Sequence, residues 1–204
     1  MMLTRRTLFM LTGTASLTAA ALPSGLALAQ ASPSSGFVQS VGRQLVGIVN
    51  GPGTQADKRH RLQQVINASV DVDGVARFSL GRFWSLATPD QQREYVALFH
   101  DVLLNNITAK IGDYQGVGFE MGRTQRREDF DVVSTTVRRP SNPPTAVDWI
   151  ISNASGSPRI VDVVAEGTSL RLTQRQDYAS FLAHNNNNVQ ALIQAMRQQV
   201  AQSG

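Results

Sequence analysis

The sequence predicts an α+β fold, a curved antiparallel sheet packed against several helices and enclosing an apolar cavity. Two changes of period carry this prediction. Apolar residues recur at spacings of three and four up to Gly112, alternate at period two from Val117 to Ala165, and return to helical spacing toward the C-terminus. Topology follows from a third observation. Short, turn-rich links join the alternating stretches, so neighbouring strands run antiparallel and the helices cover one face of the sheet. No linker or internal repeat divides the chain.

The first helix is expected over residues 37–50, with Phe37, Val41, Leu45 and Ile48 at helical spacing. Ser32-Pro33-Ser34-Ser35-Gly36 reads as a flexible lead, and Gly51-Pro52-Gly53 as a stop. A second helix covers 57–69 and is apolar at Leu62, Val65 and Ile66. The third covers 71–86 and carries Val75, Phe78, Phe83 and Trp84, with Gly74 and Gly81 working against it. The next start is the best marked: Thr88 caps, Pro89 takes the first helical position, and Gln91 completes a capping box. Tyr95, Leu98, Phe99, Val102, Leu103, Ile107 and Ile111 then form one apolar stripe ending at Gly112.

Strands are expected over 117–121, 132–138, 146–152 and 159–165. Val133, Thr135 and Val137 share one face of the second, and Val147, Trp149 and Ile151 one face of the third. Pro140, Pro143, Pro144 and residues 153–158 supply turns. Helices over 172–183 and 189–201 close the chain, parted by a run of Asn from 185 to 188 that suits a helix break.

Composition narrows the chemistry. The chain has 204 residues, 42% apolar and 17% charged, which supports a core and excludes an intrinsically disordered chain. Lys and Arg total 19 against 15 Asp and Glu, a formal charge of +4. So small a field does not suit nucleic-acid binding. The absence of Cys excludes a disulfide framework, a thiolate metal site and a Cys nucleophile. His60, His100 and His184 stand far apart and read as solvated groups. No metal and no cofactor are expected.

Residues 1–29 read as a signal peptide. Arg5 and Arg6 precede an uncharged run over 7–21, and Ala27-Leu28-Ala29 offers a cleavage site. That run is short and rich in small residues for a membrane span. The expected mature domain is therefore 30–204, in the periplasm. Thr4-Arg5-Arg6-Thr7-Leu8-Phe9 leaves both the Sec and the twin-arginine routes open.

Several motifs have structural explanations. Gly116-Val117-Gly118-Phe119-Glu120-Met121-Gly122 has the glycines of a dinucleotide loop one residue too far apart, with no helix behind them. Asp71-Val72-Asp73-Gly74 echoes a calcium loop without its Glu and reads as an Asp-rich helix start. Asp148 and Asp162 would face each other across paired strands if the 153–158 turn is symmetric. Such a pair suits acid–base chemistry. Opposed like charges destabilise a sheet, which favours a one-residue shift or an Arg neighbour instead. The chain is accordingly read as a non-enzyme.

Three stretches resemble the MlaC family of periplasmic phospholipid-binding proteins, also called the toluene-tolerance auxiliary family. They are DVDGVARFSLGRFWSLATPDQQREYVALFHDVLLNNITAKIGDYQG over 71–116, Val147-Asp148-Trp149, and IVDVVAEGTSL over 160–170. The matching elements follow in order from about residue 37 to 199. Pro158-Arg159 stands where the family often has an aromatic residue, and the Asn run replaces a loop that usually contains Gly.

The resemblance implies a soluble phospholipid carrier, part of an ABC-type lipid transport system that maintains outer-membrane lipid asymmetry. Its implied partners are phospholipid, an outer-membrane lipoprotein complex, and an inner-membrane ABC transporter with a tethered ring component. A hopanoid-associated subgroup is similar, so a carrier of hopanoid or another isoprenoid lipid is an alternative. A cone-shaped α+β enzyme of isomerase or dehydratase type is another. Phe78, Phe83, Trp84, Phe99, Leu103, Ile107, Val147, Trp149, Ile151 and Val164 are the candidate lining of the lipid site. Asp162, Glu166, Gly167 and Ser169 are expected to hold the strand-to-helix corner.

Overall fold

The computed structural model describes residues 32–202, and the expected leader over 1–29 lies outside them. Helix α1 (Pro33–Asn50) starts earlier than predicted, because Ser32 caps it by accepting from the Ser35 amide and Pro33 takes the first position. The segment read as a flexible lead is thus a helix start of the same type as Thr88-Pro89. Thr54 and Asp57 form a capping box that opens α2 (Gln55–Ser69). Helix α3 (Val72–Leu80) ends at Gly81, whose φ of +58° only glycine adopts cheaply, and a 3₁₀ segment (Gly81–Leu86) follows. The predicted single helix is therefore two pieces. Helix α4 (Pro89–Ala109) carries the predicted capping box, with Thr88 and Gln91 satisfying each other's amides.

Five strands follow as a meander in the order β1-β2-β3-β4-β5: β1 (Gly118–Arg127), β2 (Phe130–Arg138), β3 (Thr145–Ser152), β4 (Arg159–Ala165) and β5 (Thr168–Ser169). All neighbours pair antiparallel, as the short links require. Strand β1 runs twice as far as its apolar stretch suggested. It is an edge, and its second half, Arg123-Thr124-Gln125-Arg126-Arg127, carries the charge that edges need against further pairing. Strand β5 escaped the sequence reading because it has only two residues. Glu166 and Gly167, with φ of +51° and +80°, make the two-residue turn that folds it onto β4. Helices α5 (Leu170–His184) and α6 (Val189–Gln202) end the chain, and the Asn run breaks between them with Asn186 and Asn187 at positive φ. Among the described residues, no helix is long and apolar enough to cross a membrane.

Register sorts the sheet into two faces. Val133 stands opposite Trp149, Thr135 opposite Val147, and Trp149 opposite Val163. Val133, Ile151 and Ile160 join side chains from all six helices in one apolar cluster. Sheet and helices thus share one apolar layer where the hollow was expected.

Helix α1 is tied to this sheet by Ser34, whose hydroxyl donates to Asp131 at 2.5 Å; Arg126 at 3.1 Å and Asn153 at 3.2 Å also donate to that carboxylate. The Ser34 bond, then Arg126, hold Asp131 below its ordinary 3.8. Its stabilisation is complete above that value and is lost as pH falls through the lower native one. Tyr95 and Tyr178 act at the other end. Burial raises both phenols above the ordinary 10, so their contribution is present below that value and fades as pH rises past it. The urea midpoint should stay flat between about pH 5 and 9 and fall on both sides. Asp131→Asn should blunt the acid limb, and an unchanged acid limb in that variant would refute the assignment.

Candidate functional site

The ten candidate lining residues do not all meet. Phe83, Phe99 and Ile151 are buried in the central cluster, with Trp84, Leu103 and Trp149 packed against it. Val147 is buried on the same sheet face as Trp149 but outside that cluster. Phe78 is half-buried and also lies outside it. Ile107 is 39% exposed. Val164 opposes Asp148, so it projects from the sheet face away from Trp149 and Ile151. Periodicity placed Ile107 on the stripe of α4, but the buried residues on that part of the helix are Leu104 and Asn105, and Ile111 just beyond it is buried again.

Trp149 and Tyr95 pair their polar atoms within the apolar layer, whereas Ser79 Oγ and Asn105 Oδ1 are buried without a hydrogen-bond partner. Trp149 Nε1 donates to Thr135 Oγ1 at 3.0 Å, and that hydroxyl donates to the Val147 carbonyl at 3.2 Å. Tyr95, fully buried on α4, donates to the Ala76 carbonyl of α3 at 3.0 Å. Its ring lies 6.0 Å from those of Phe99 and Tyr178, tilted and edge-on respectively. One aromatic group thus joins α3, α4 and α5.

The two carboxylates weighed as a dyad are not opposed. A register shift between Ile150 and Ile151 puts Asp162 opposite Ile150 and Asp148 opposite Val164. Both project from the face away from Trp149 and Ile151. Asp162 is buried and committed to structure. It accepts from Ser169 Oγ at 2.6 Å, the Arg171 amide at 3.1 Å and the Val163 amide at 2.8 Å, with Arg171 Nε at 3.5 Å. Ser169 in turn caps α5 by accepting from the Leu172 amide. Asp162, Glu166, Gly167 and Ser169 therefore build the strand-to-helix corner. His100 reaches Asp73 at 2.9 Å, a partner its spacing in the sequence did not reveal.

Two of the candidate lining residues, Phe78 and Trp84, fall in a group that the sequence did not reveal. Arg77, Phe78, Trp84, Ser85 and Arg175, with Gly74 and Gly81, line a surface recess of about 460 Å³. The Arg77 guanidinium lies 5.5 Å from the Trp84 ring centroid, and those of Arg171 and Arg175 lie 4.4 and 5.0 Å from that of Phe78. The one available signal was Arg171 and Arg175, four apart on a helix face. Nothing in the sequence says that α5 lies beside α3.

Comparison with known proteins places this geometry in context. The family described as MlaC protein matches over residues 39–198. Among solved structures, a phospholipid-binding protein from Ralstonia solanacearum, in complex with a phospholipid, has the same fold with a TM-score of 0.74. The two are 20% identical, and the match covers 83% of this chain and 98% of that one.

Proposed function

The chain belongs to the MlaC family, and from that premise we propose that it is a phospholipid carrier rather than an enzyme. The single observation that carries this reading is that the fold matches, over 83% of this chain and 98% of the other, a protein in complex with a phospholipid. In this reading the carrier works in the periplasm as the soluble part of an ABC-type lipid transport system. It exchanges lipid with an outer-membrane lipoprotein complex on one side and with an inner-membrane ABC transporter and its tethered ring on the other. Residues 1–29 would direct its export.

Energetics set what such a carrier must do. Burial is worth about 0.8 kcal/mol per CH₂. A diacyl lipid with ~30 methylenes thus faces a barrier above roughly 20 kcal/mol to cross water alone. An apolar interior removes that barrier if its lining offers the tails about what a bilayer offers. Phe83, Phe99, Trp149 and Ile151 pack on one another between sheet and helices, so acyl chains would exchange one set of apolar contacts for another. That exchange is close to balanced, which allows both uptake and release. The 3₁₀ segment bearing Phe83 and Trp84 has poorer hydrogen-bond geometry than an α-helix, so it can shift at modest cost to admit a chain.

Native mass spectrometry of protein isolated from periplasm tests the reading. The expected spectrum shows protein plus one diacyl phospholipid. Protein that is empty, and that takes up no lipid from phospholipid vesicles, would sink it.

A further inference from the structure

We infer that the recess between α3, the 3₁₀ segment and α5 binds the phosphodiester head group of the carried lipid, with Arg77 and Arg175 as its donors. Uncommitted cations make the case. Arg77 and Arg175 form no salt bridge among the described residues and are placed only by the aromatic faces beside them. Two guanidiniums without a counter-charge, facing one volume, favour an anion there. Their planar forks match a phosphate's oxygens.

The arginines of two other recesses are engaged elsewhere. Arg159, at the recess shared with Asp71, Asp73 and His100, donates to the Asn67 and Ala68 carbonyls. Arg61, at the recess beside α1 and α2, donates to the Pro52 carbonyl.

Shape agrees with charge. Gly81 leaves room for the Arg175 side chain at the recess wall, since a Cβ there would lie 3.0 Å from Arg175 Nε. A volume of about 460 Å³ suits a head group and leaves the tails to go elsewhere. Trp84 supplies the route, lining the recess on one side and packing against the central cluster on the other. Leu86, next to Ser85 in the chain, is 65% exposed and adds apolar surface at the same end.

This inference rests on the carrier reading, and one calorimetric titration separates the two. Dihexanoylphosphatidylglycerol and dihexanoylglycerol share tails but not the phosphodiester. Each is titrated into the purified chain and into the R77Q/R175Q and R77K/R175K variants. The unaltered chain should bind the phospholipid at least about tenfold more tightly than the diacylglycerol. R77Q/R175Q should lose that advantage while binding diacylglycerol as before. R77K/R175K should regain part of it, because charge returns without the fork. Should the glutamine pair fail to fold, the lysine pair alone decides, by keeping a reduced preference or none.

Equal phospholipid binding by the unaltered chain and R77Q/R175Q overturns the head-group site and leaves the carrier standing. An unaltered chain that takes neither lipid overturns the carrier reading itself. Inorganic phosphate that fills the recess and is not displaced by dihexanoylphosphatidylglycerol makes it a site for free anion, and that also overturns the assignment.

Discussion

Replacing Tyr95 with alanine should remove about 3–5 kcal/mol of stability, the usual cost of deleting a large buried aromatic. That is a large share of the ~5–15 kcal/mol typical of a folded domain. Tyr95 is fully buried, touches the rings of Phe99 and Tyr178, and hydrogen-bonds to Ala76, so it is where α3, α4 and α5 meet. Tyr95→Phe isolates the hydroxyl and should cost only about 1 kcal/mol, since the ring and its contacts remain. Urea unfolding followed by circular dichroism measures both. Similar losses for the two variants would mean that the hydroxyl, not the ring, holds the layer.

Asp162→Ala is the second change expected to act strongly. It removes the acceptor for Ser169 Oγ and the Arg171 amide, and with it the support for the cap of α5. Losing hydrogen bonds to a buried charge and stranding their donors should cost about 3 kcal/mol. Asp162→Asn should recover little, because its amide NH₂ presents donors where the site supplies donors. Hydrogen exchange adds a local readout: amides at the start of α5 should exchange faster by a larger factor than those of α4. Uniform acceleration across both helices would show that the corner has no special hold on α5. Folding of α5 matters for function in the reading offered here, since it carries Arg175 to the recess.

Helix and strand order was legible because periodicity is a local property. Alternate residues of a strand must point to opposite faces, so Val147, Trp149 and Ile151 were bound to share one. Cap chemistry is local too, and Thr88, Pro89 and Gln91 announced α4 without reference to anything distant. The same grammar stands at Ser32-Pro33, where flanking Ser and Gly residues read as linker and mask it. For Gly81, composition shows only a weakness, whereas the break depends on a positive φ that packing imposes.

By itself, the sequence determined an α+β meander flanked by helices, an apolar layer between them, a chain without thiol chemistry, and the family resemblance that the match over residues 39–198 upholds. Tertiary structure alone decided the rest. It showed that Val164 projects from the far face and that Asp148 and Asp162 are offset by an irregular register. It also brought Arg77 and Arg175, ninety-eight positions apart, to one recess. The reason is one of range. Side-chain period and caps are set within a turn or two of backbone, whereas register and convergence depend on how separate elements pack, which no short window of sequence records.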